Sequence, residues 1–223
     1  MKPYLRNIAI VFVFTLAHLL SQAQEGQNTK GDAAGYLSMG ARTCNSIFTT
    51  NGKRFVGTGM GGQFALRIAK DFNSHWFADW ITSNINNLAE RNDFHSGFSM
   101  MPEVISIPLG VKRVSLFPLA GFCIDYTKFT VTTGKKASSS PNYAERYSFA
   151  AQAGCGATIP VSDRLDFSLE AHYMLHVGTD VDIELNDNEV RLIKQRGNNL
   201  EGHFVLALSM DFKLFKLWQK KAS

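Results

Sequence analysis

The sequence predicts an eight-stranded antiparallel up-and-down β-barrel that spans a membrane, behind a cleaved signal peptide. Three observations predict it. Long segments alternate apolar and polar residues with period two, which marks a strand and not a helix. A secretory signature opens the chain. The connections between strands alternate short and long, the order of a transmembrane barrel with tight turns at one end and long loops at the other.

The alternation is clearest near the C-terminus. From Phe204 to Leu214 the even positions are Phe204, Leu206, Leu208, Met210, Phe212 and Leu214, and the odd ones are small, polar or charged. Arg164–Val177 repeats the pattern in the other parity, with Leu165, Phe167, Leu169, Tyr173 and Leu175 set against Asp166, Ser168, Glu170, His172, Met174 and His176.

At the other end, Lys2 and Arg6 precede the apolar run Ile8–Leu20, and Ser21-Gln22-Ala23 is a small-x-small cleavage site, with cutting before Gln24. That run is shorter than the roughly 20 apolar residues of a membrane-spanning helix. The organisation read from the sequence is a signal peptide over 1–23, a polar lead-in over 24–34, a barrel over 35–215 and a periplasmic tail over 216–223.

Composition narrows the classes further. The 223 residues carry 23 basic and 19 acidic side chains, a net +4 that falls to +2 without Lys2 and Arg6. Charge this weak and scattered excludes a nucleic-acid footprint. Cys44, Cys123 and Cys155 form neither a CxxC nor a disulfide framework and read as isolated thiols.

Eight strands follow in order: Gly35–Phe48, Gly57–Phe72, His75–Ile85, His95–Val111, Val114–Phe129, Tyr147–Val161, Arg164–Val177 and Glu201–Phe215. Most exceed the 9–11 residues a tilted strand needs to cross a bilayer. Asn73-Ser74, Lys112-Arg113 and Ser162-Asp163 read as tight turns. Thr49–Val56, Asn86–Phe94, Thr130–Arg146 and Gly178–Leu200 read as long loops, extracellular in such a barrel. Pro102, Pro108 and Pro118 interrupt ladders, so defects are expected near them. A two-residue turn at Lys112-Arg113 sets Val111 opposite Val114 and keeps both apolar sets on one face. A one-residue slip would turn every side chain over. Glu103 then falls on the lipid side, which a bulge near Met100–Pro102 would correct.

The polar face decides between a membrane barrel and a soluble lipocalin-like one, whose apolar face points inward. It holds small residues with isolated charges: Ala65, Arg67 and Ala69, then Ser148, Ala150, Gln152, Gly154 and Gly156. A crowded lumen suits that set, whereas a solvated exterior favours longer polar side chains. Arg42, Arg67, Asp79, Asp125, Glu170, His172 and Asp211 are read as a structural polar network in the lumen, with Arg67 paired to Asp79 across the second hairpin. Phe72, Trp76, Tyr126, Tyr147, Phe167, Phe204 and Phe212 are read as aromatic girdles at the membrane interfaces.

The segment Ser106-Ile107-Pro108-Leu109-Gly110-Val111-Lys112, followed by Leu116-Phe117-Pro118-Leu119-Ala120-Gly121, resembles the PorT-like outer-membrane β-barrel family. The strand Gly61-Gly62-x-Phe64-x-Leu66-Arg67 with Asp71-Phe72 is similar to that group as well. The resemblance implies a small outer-membrane barrel and no catalytic residues. Where many such barrels finish on an aromatic residue read by the barrel-assembly machinery, this chain continues from Phe215 to Ser223.

Candidate chemistry is sparse. Asp166, Glu170, His172 and His176 share one face of a strand and could build a hydrolase or metal site, but a filled lumen already accounts for them. The His-x-Ser signature of lipid A deacylases is replaced by His172-Tyr173-Met174 and His176-Val177-Gly178. Asp180, Asp182, Glu184, Asp187 and Glu189 crowd the last loop without the spacing of an EF-hand and read as a solvated hairpin. Gly57–Gly62 opens a strand and lacks the Lys-Ser/Thr ending of a phosphate loop. The sequence therefore points to a non-enzymatic barrel in the bacterial outer membrane that presents loops, binds partners, or supports envelope integrity or secretion. It calls for no catalytic residue, metal or cofactor. The expected contacts are outer-membrane lipid, the barrel-assembly machinery and other envelope proteins, with no nucleic acid. The alternative is a barrel enzyme acting on outer-membrane lipid at a lipid-exposed rim, with His172, Tyr173 and His176 as candidates.

Overall fold

The structure, a computed structural model, describes residues 35–50, 53–69, 72–85, 87, 89–109, 112–132, 142–186 and 189–217. The expected signal peptide and lead-in, and the tail after 217, lie outside the described residues. Nine strands follow one another: β1 (Tyr36–Thr50), β2 (Lys53–Ala69), β3 (Phe72–Ile85), β4 (Ala89–Pro102), β5 (Ile105–Leu109), β6 (Lys112–Val131), β7 (Tyr143–Pro160), β8 (Leu165–Asn186) and β9 (Glu189–Lys216). Each pairs antiparallel with its neighbours, β9 returns to β1, and β4 pairs with β6. The sheet is thus closed. Because β5 continues the line of β4 along β6, the wall has eight staves.

The break between β4 and β5 is a bulge of one residue. Met100 faces Ala120, but Ile105 faces Leu116, so four residues on one side stand against three on the other. The amide of Val104 also bonds the Leu116 carbonyl at 3.0 Å, which sets two consecutive residues against one. Pro102 beside the bulge and Pro118 opposite it lack the amide that a regular ladder would use. Up to Glu103 the odd positions point inward. After the bulge Ile105 and Ile107 point outward. The bulge lies just past Met100–Pro102, and Glu103 is inside as a result.

Two turn positions differ from the sequence reading. Asn73 and Ser74 are already in β3, paired with Arg67 and Leu66. Lys112 and Arg113 are already in β6, paired with Leu109 and Pro108, so Val114 faces Ile107 and not Val111. The shift is even, and the apolar residues keep their face. The last strand continues through Lys216, one residue past the expected end of the barrel, and Leu217 still bonds the Gly35 carbonyl at 2.8 Å.

The segment 178–200, read as a loop, is mostly strand. β8 and β9 run on together to the Asn186–Glu189 pair, well beyond the last β7–β8 pair at Ser148–Gly178 and the last β9–β1 pair at Phe48–His203. Period two persists there with its sign inverted: the inward Val181, Ile183, Val190 and Leu192 are apolar, and the outward Glu184 and Arg191 are charged.

Outward-facing side chains are mostly apolar along the staves, among them Phe64, Trp80, Phe122, Leu169, Leu208 and Phe212, with Thr43 and Asn45 of β1 and Ser96 of β4 as polar exceptions. On β9 the outward run Phe204–Leu214 covers about 33 Å of strand, or about 25 Å along an axis tilted by about 40°, the height of a transmembrane apolar band. The interior holds three apolar clusters with polar layers between them. One at the loop end joins Phe48, Phe55, Ile85, Ala89, Phe129, Val181, Ile183, Val190 and Leu192. A second joins Cys44, Phe77, Ile81, Cys123, Met174 and Val205, and a third joins Met101, Phe117 and Leu119.

Candidate functional site

Ionisable side chains fill the lumen in two principal layers. The lower one is organised by Arg42 of β1. Its Nε lies 3.2 Å from Asp79 Oδ1, and Nη1 lies 3.7 Å from Glu170 Oε2. Nη1 also donates to Gln63 Oε1 at 3.4 Å, and Gln63 Nε2 donates to both Asp211 oxygens at 2.7 Å. The guanidinium carbon sits 4.7 Å from the centre of the Phe77 ring, which contributes a cation–π contact. His75 Nδ1 approaches Glu170 Oε1 at 3.7 Å. Arg42 can reach across because β2 carries Gly61 opposite it and Asp79 comes next in the ladder. A Cβ on Gly61 would overlap the Asp79 carboxylate.

The upper layer belongs mainly to β4, β6, β8 and β9. Arg91 Nε donates to both oxygens of Asp93 at 2.9–3.0 Å, and Nη1 donates to Glu201 Oε1 at 2.6 Å. Arg146 pairs with the other Glu201 oxygen. Thr127 Oγ1 donates to Asp93 Oδ1 at 2.6 Å. Arg91 lies under the loop-end cluster, 4.2 Å from the Phe48 ring centre and 5.3 Å from that of Phe129. Beside it stand three buried imidazoles. The centroids of His176 and His203 are 4.2 Å apart, and that of His95 is 5.8 and 6.1 Å from them. His176 contacts Asp125, His95 Nε2 is 3.7 Å from the same carboxylate, and His203 Nε2 is 3.3 Å from Glu201.

The seven residues read from sequence as one network separate into three places. Arg42, Asp79, Glu170 and Asp211 meet in the lower layer. His172 is buried on the same face of β8, two residues from Glu170. Asp125 belongs to the upper layer. Arg67 stands apart near the turn end and is only half-buried. Its partner is Glu103 at 2.7 Å, and Asp79 pairs with Arg42 instead. Ser115 Oγ also donates to Glu103 at 2.7 Å, so the bulge creates this small cluster. Arg91, Asp93, His95, Glu201 and His203 were missed. Arg91 and Asp93 were placed in a loop, although Arg91, Asp93 and His95 already alternate with Asn92 and Phe94. Glu201 and His203 do lie on the inward parity of the last strand.

His172 and His176 point inward and are buried, while Tyr173 points to lipid. The three therefore do not gather at a lipid-exposed rim. No cluster of ligating side chains suited to a metal ion occurs among the described residues. The side chains of 180, 182, 187 and 189 lie outside the described residues.

On the outer wall, register aligns aromatic side chains across strands. Trp80, Phe94, Tyr126 and Tyr147 are successive ladder partners on β3, β4, β6 and β7. Two residues nearer the loop end, Thr58, Thr82, Asn92, Lys128 and Glu145 form a polar row in the same way. Thr82 Oγ1 donates to Asn92 Oδ1 at 2.8 Å, and Asn92 Nδ2 donates to Glu90 Oε1 at 2.7 Å. An aromatic row under a polar one marks a hydrocarbon boundary. Of the expected girdle, Tyr126 and Tyr147 lie in this row. Trp76 instead lies in a second row with Phe64, Phe98 and Phe122. Phe204 and Phe212 face outward on β9. Phe167 and Phe72 are half-buried toward the turn end.

Solved structures share this architecture. Neisserial surface protein A is similar at 11% identity with a TM-score of 0.55, over 80% of this chain and 97% of that one. The outer membrane protein OprG from Pseudomonas aeruginosa is similar at 13% identity with a TM-score of 0.51, over 84% of this chain and 99% of that one. No protein-family model matches the chain, and no curated protein matches it. At these identities the likeness concerns fold alone. With a closed eight-stave wall, an outward apolar band and an ionic interior, the chain is a small transmembrane β-barrel of the bacterial outer-membrane type.

Proposed function

We propose that this barrel is a closed, non-enzymatic platform that works at its loop end, binding envelope or external partners through its hairpins. The observation that carries the reading is the filled lumen. The Phe48–Leu192 cluster occupies the loop end, two ionic layers lie beneath it, and Met101, Phe117 and Leu119 pack toward the turn end. An eight-stave interior is just wide enough for such filling, which argues against a solute channel. The β8–β9 hairpin, with its inner side packed, presents the partners Glu184 and Arg191 on its outer side, and Lys194, opposite Val181, is exposed as well. Loops held on a rigid scaffold are where binding residues concentrate.

In this reading the long hairpins are extracellular, outer-membrane lipid surrounds the wall, and the barrel-assembly machinery inserts it. Support of envelope integrity or secretion fits the same platform reading. The test is a strain lacking the protein, complemented with a barrel whose β8–β9 hairpin is cut back to a short turn above Gly178. The shortened barrel should fold and fail to restore the phenotype. Full restoration by it, together with loss in a folded His172→Ala or His176→Ala barrel, would replace this reading with catalysis.

A further inference from the structure

The upper ionic layer lies at the root of the β8–β9 hairpin, which outruns the ladders of its neighbours. His176 and Glu201 are ladder partners on β8 and β9, and His203 follows two residues along. Just above, the ladder is irregular: Gly178 faces Asn199, but Asp180 faces Gln195. The β9 side holds two more residues than the β8 side there, and such bulges bend a strand pair. Beyond this point β8 and β9 are laddered to each other, and the ladders with β7 and β1 have ended. What seats the hairpin is apolar: Val181, Ile183, Val190 and Leu192 against Phe48, Phe55, Ile85, Ala89 and Phe129.

The charges under that seat can be counted from every stave that faces it. β4 supplies Arg91, Asp93 and His95, and β6 supplies Asp125 with Cys123 donating to it at 3.3 Å. β7 supplies Arg146 and Ser148, β8 supplies His176, and β9 supplies Glu201 and His203. β1 brings Ser46, 3.5 Å from His203 Nδ1, and β3 brings Asp79, which Arg42 below already pairs. With neutral imidazoles the layer holds Arg91 and Arg146 against Asp93, Asp125 and Glu201, one negative charge in excess. One proton balances it. A second and a third leave two positive charges between the loop-end cluster and the Cys44–Ala207 cluster, where water and counter-ions are scarce. Buried histidines with this arrangement bias two-state elements.

We propose that the β8–β9 hairpin is an acid-released lid: protons gathered on His95, His176 and His203 lift it from its apolar seat and open the upper ionic layer to solvent. The wall stays intact, because its ladders do not depend on the hairpin above Gly178.

The experiment uses the full barrel folded in lipid nanodiscs, with Cys44, Cys123 and Cys155 replaced by Ala. A single thiol is placed at the buried seat by Val190→Cys, or at the exposed Lys194→Cys as a reference. Reaction with 2,2′-dithiodipyridine is timed between pH 8 and pH 5, and the ratio of the two rates removes the thiol's own titration. The ratio should rise at least tenfold on acidification, and His95→Gln, His176→Gln and His203→Gln together should flatten that rise. If the triple variant does not fold, each single variant should shift the rise to lower pH or make it shallower. The proposal fails if the ratio is flat in the histidine-containing barrel, or if the rise survives the glutamines. It fails equally if the heat-modifiable gel band of the folded barrel disappears over the same pH range, because the barrel would then be unfolding as a whole.

Discussion

Replacing Arg42 by Met should be among the most damaging single changes in this barrel. Met keeps most of the volume but removes the charge that faces two buried carboxylates, Asp79 at 3.2 Å and Glu170 at 3.7 Å. At an effective dielectric of about 20, each contact carries roughly 4–5 kcal/mol of Coulomb attraction. Desolvation of the ions offsets much of that in the intact protein. Removal of one partner leaves the others buried and uncompensated, and the net loss for such a site is about 3–5 kcal/mol. Arg67→Met makes the control: its partner Glu103 is half-buried, so the loss there should be about 1 kcal/mol. Urea titration of the barrel in lipid vesicles, read by the gel shift between folded and unfolded forms, measures both. Asp79→Asn in the Arg42→Met background should recover part of the loss, with a coupling of at least about 1.5 kcal/mol in the double-mutant cycle. An Arg42→Met loss below about 1 kcal/mol, or strict additivity with Asp79→Asn, would show that Arg42 does not organise the lower layer.

Two further outcomes follow from which side of the wall a residue faces. Leu208→Arg sets a charge in the middle of the outward band of β9 and should cost about 2–4 kcal/mol in the same titration, whereas Leu214→Arg, nearer the end, should cost about 0–1 kcal/mol. Equal losses at the two positions would contradict the assigned membrane depth. Of the three thiols, Cys44 and Cys123 are buried in the lumen and Cys155 is on the outer face. A lipid-soluble maleimide should therefore modify the folded, membrane-embedded barrel at Cys155 alone, and a charged, water-soluble reagent should modify none of the three. Mass spectrometry of digested protein reads the sites, and labelling of Cys44 before Cys155 would invert the assigned faces.

The wall was legible in the sequence because each stave must satisfy lipid on one side and a narrow lumen on the other. That double demand writes itself as period two from Leu165 to Val177 and from Phe204 to Leu214. The legibility ended where the outside is water. Around Val181, Ile183, Val190 and Leu192 the buried side is apolar and the other side polar, a normal amphipathic hairpin, and its acidic residues read as a solvated loop. Turn positions slipped at Asn73-Ser74 and Lys112-Arg113 because parity constrains the face of a residue but not its partner. The ionic residues of the lumen could be found one strand at a time. Their grouping could not, because whether Asp79 meets Arg42 or Arg67 depends on ladder offsets between staves that are not adjacent in sequence.

The bulge at Glu103–Val104 carries a consequence for the inheritance of this chain. Removal of one residue between Met101 and Ile105 would make the ladder against β6 continuous. Ile105 would still face Leu116 and Ile107 would still face Val114, so both would stay outward, with Ser106 opposite Ser115 as now. Removal of two residues would set Ile105 opposite Phe117, carrying Ile105 and Ile107 into the lumen and turning Ser106 toward lipid. Descendants of this gene should therefore tolerate loss of the single bulge residue, while loss of two persists only when a compensating odd step arises before the next turn.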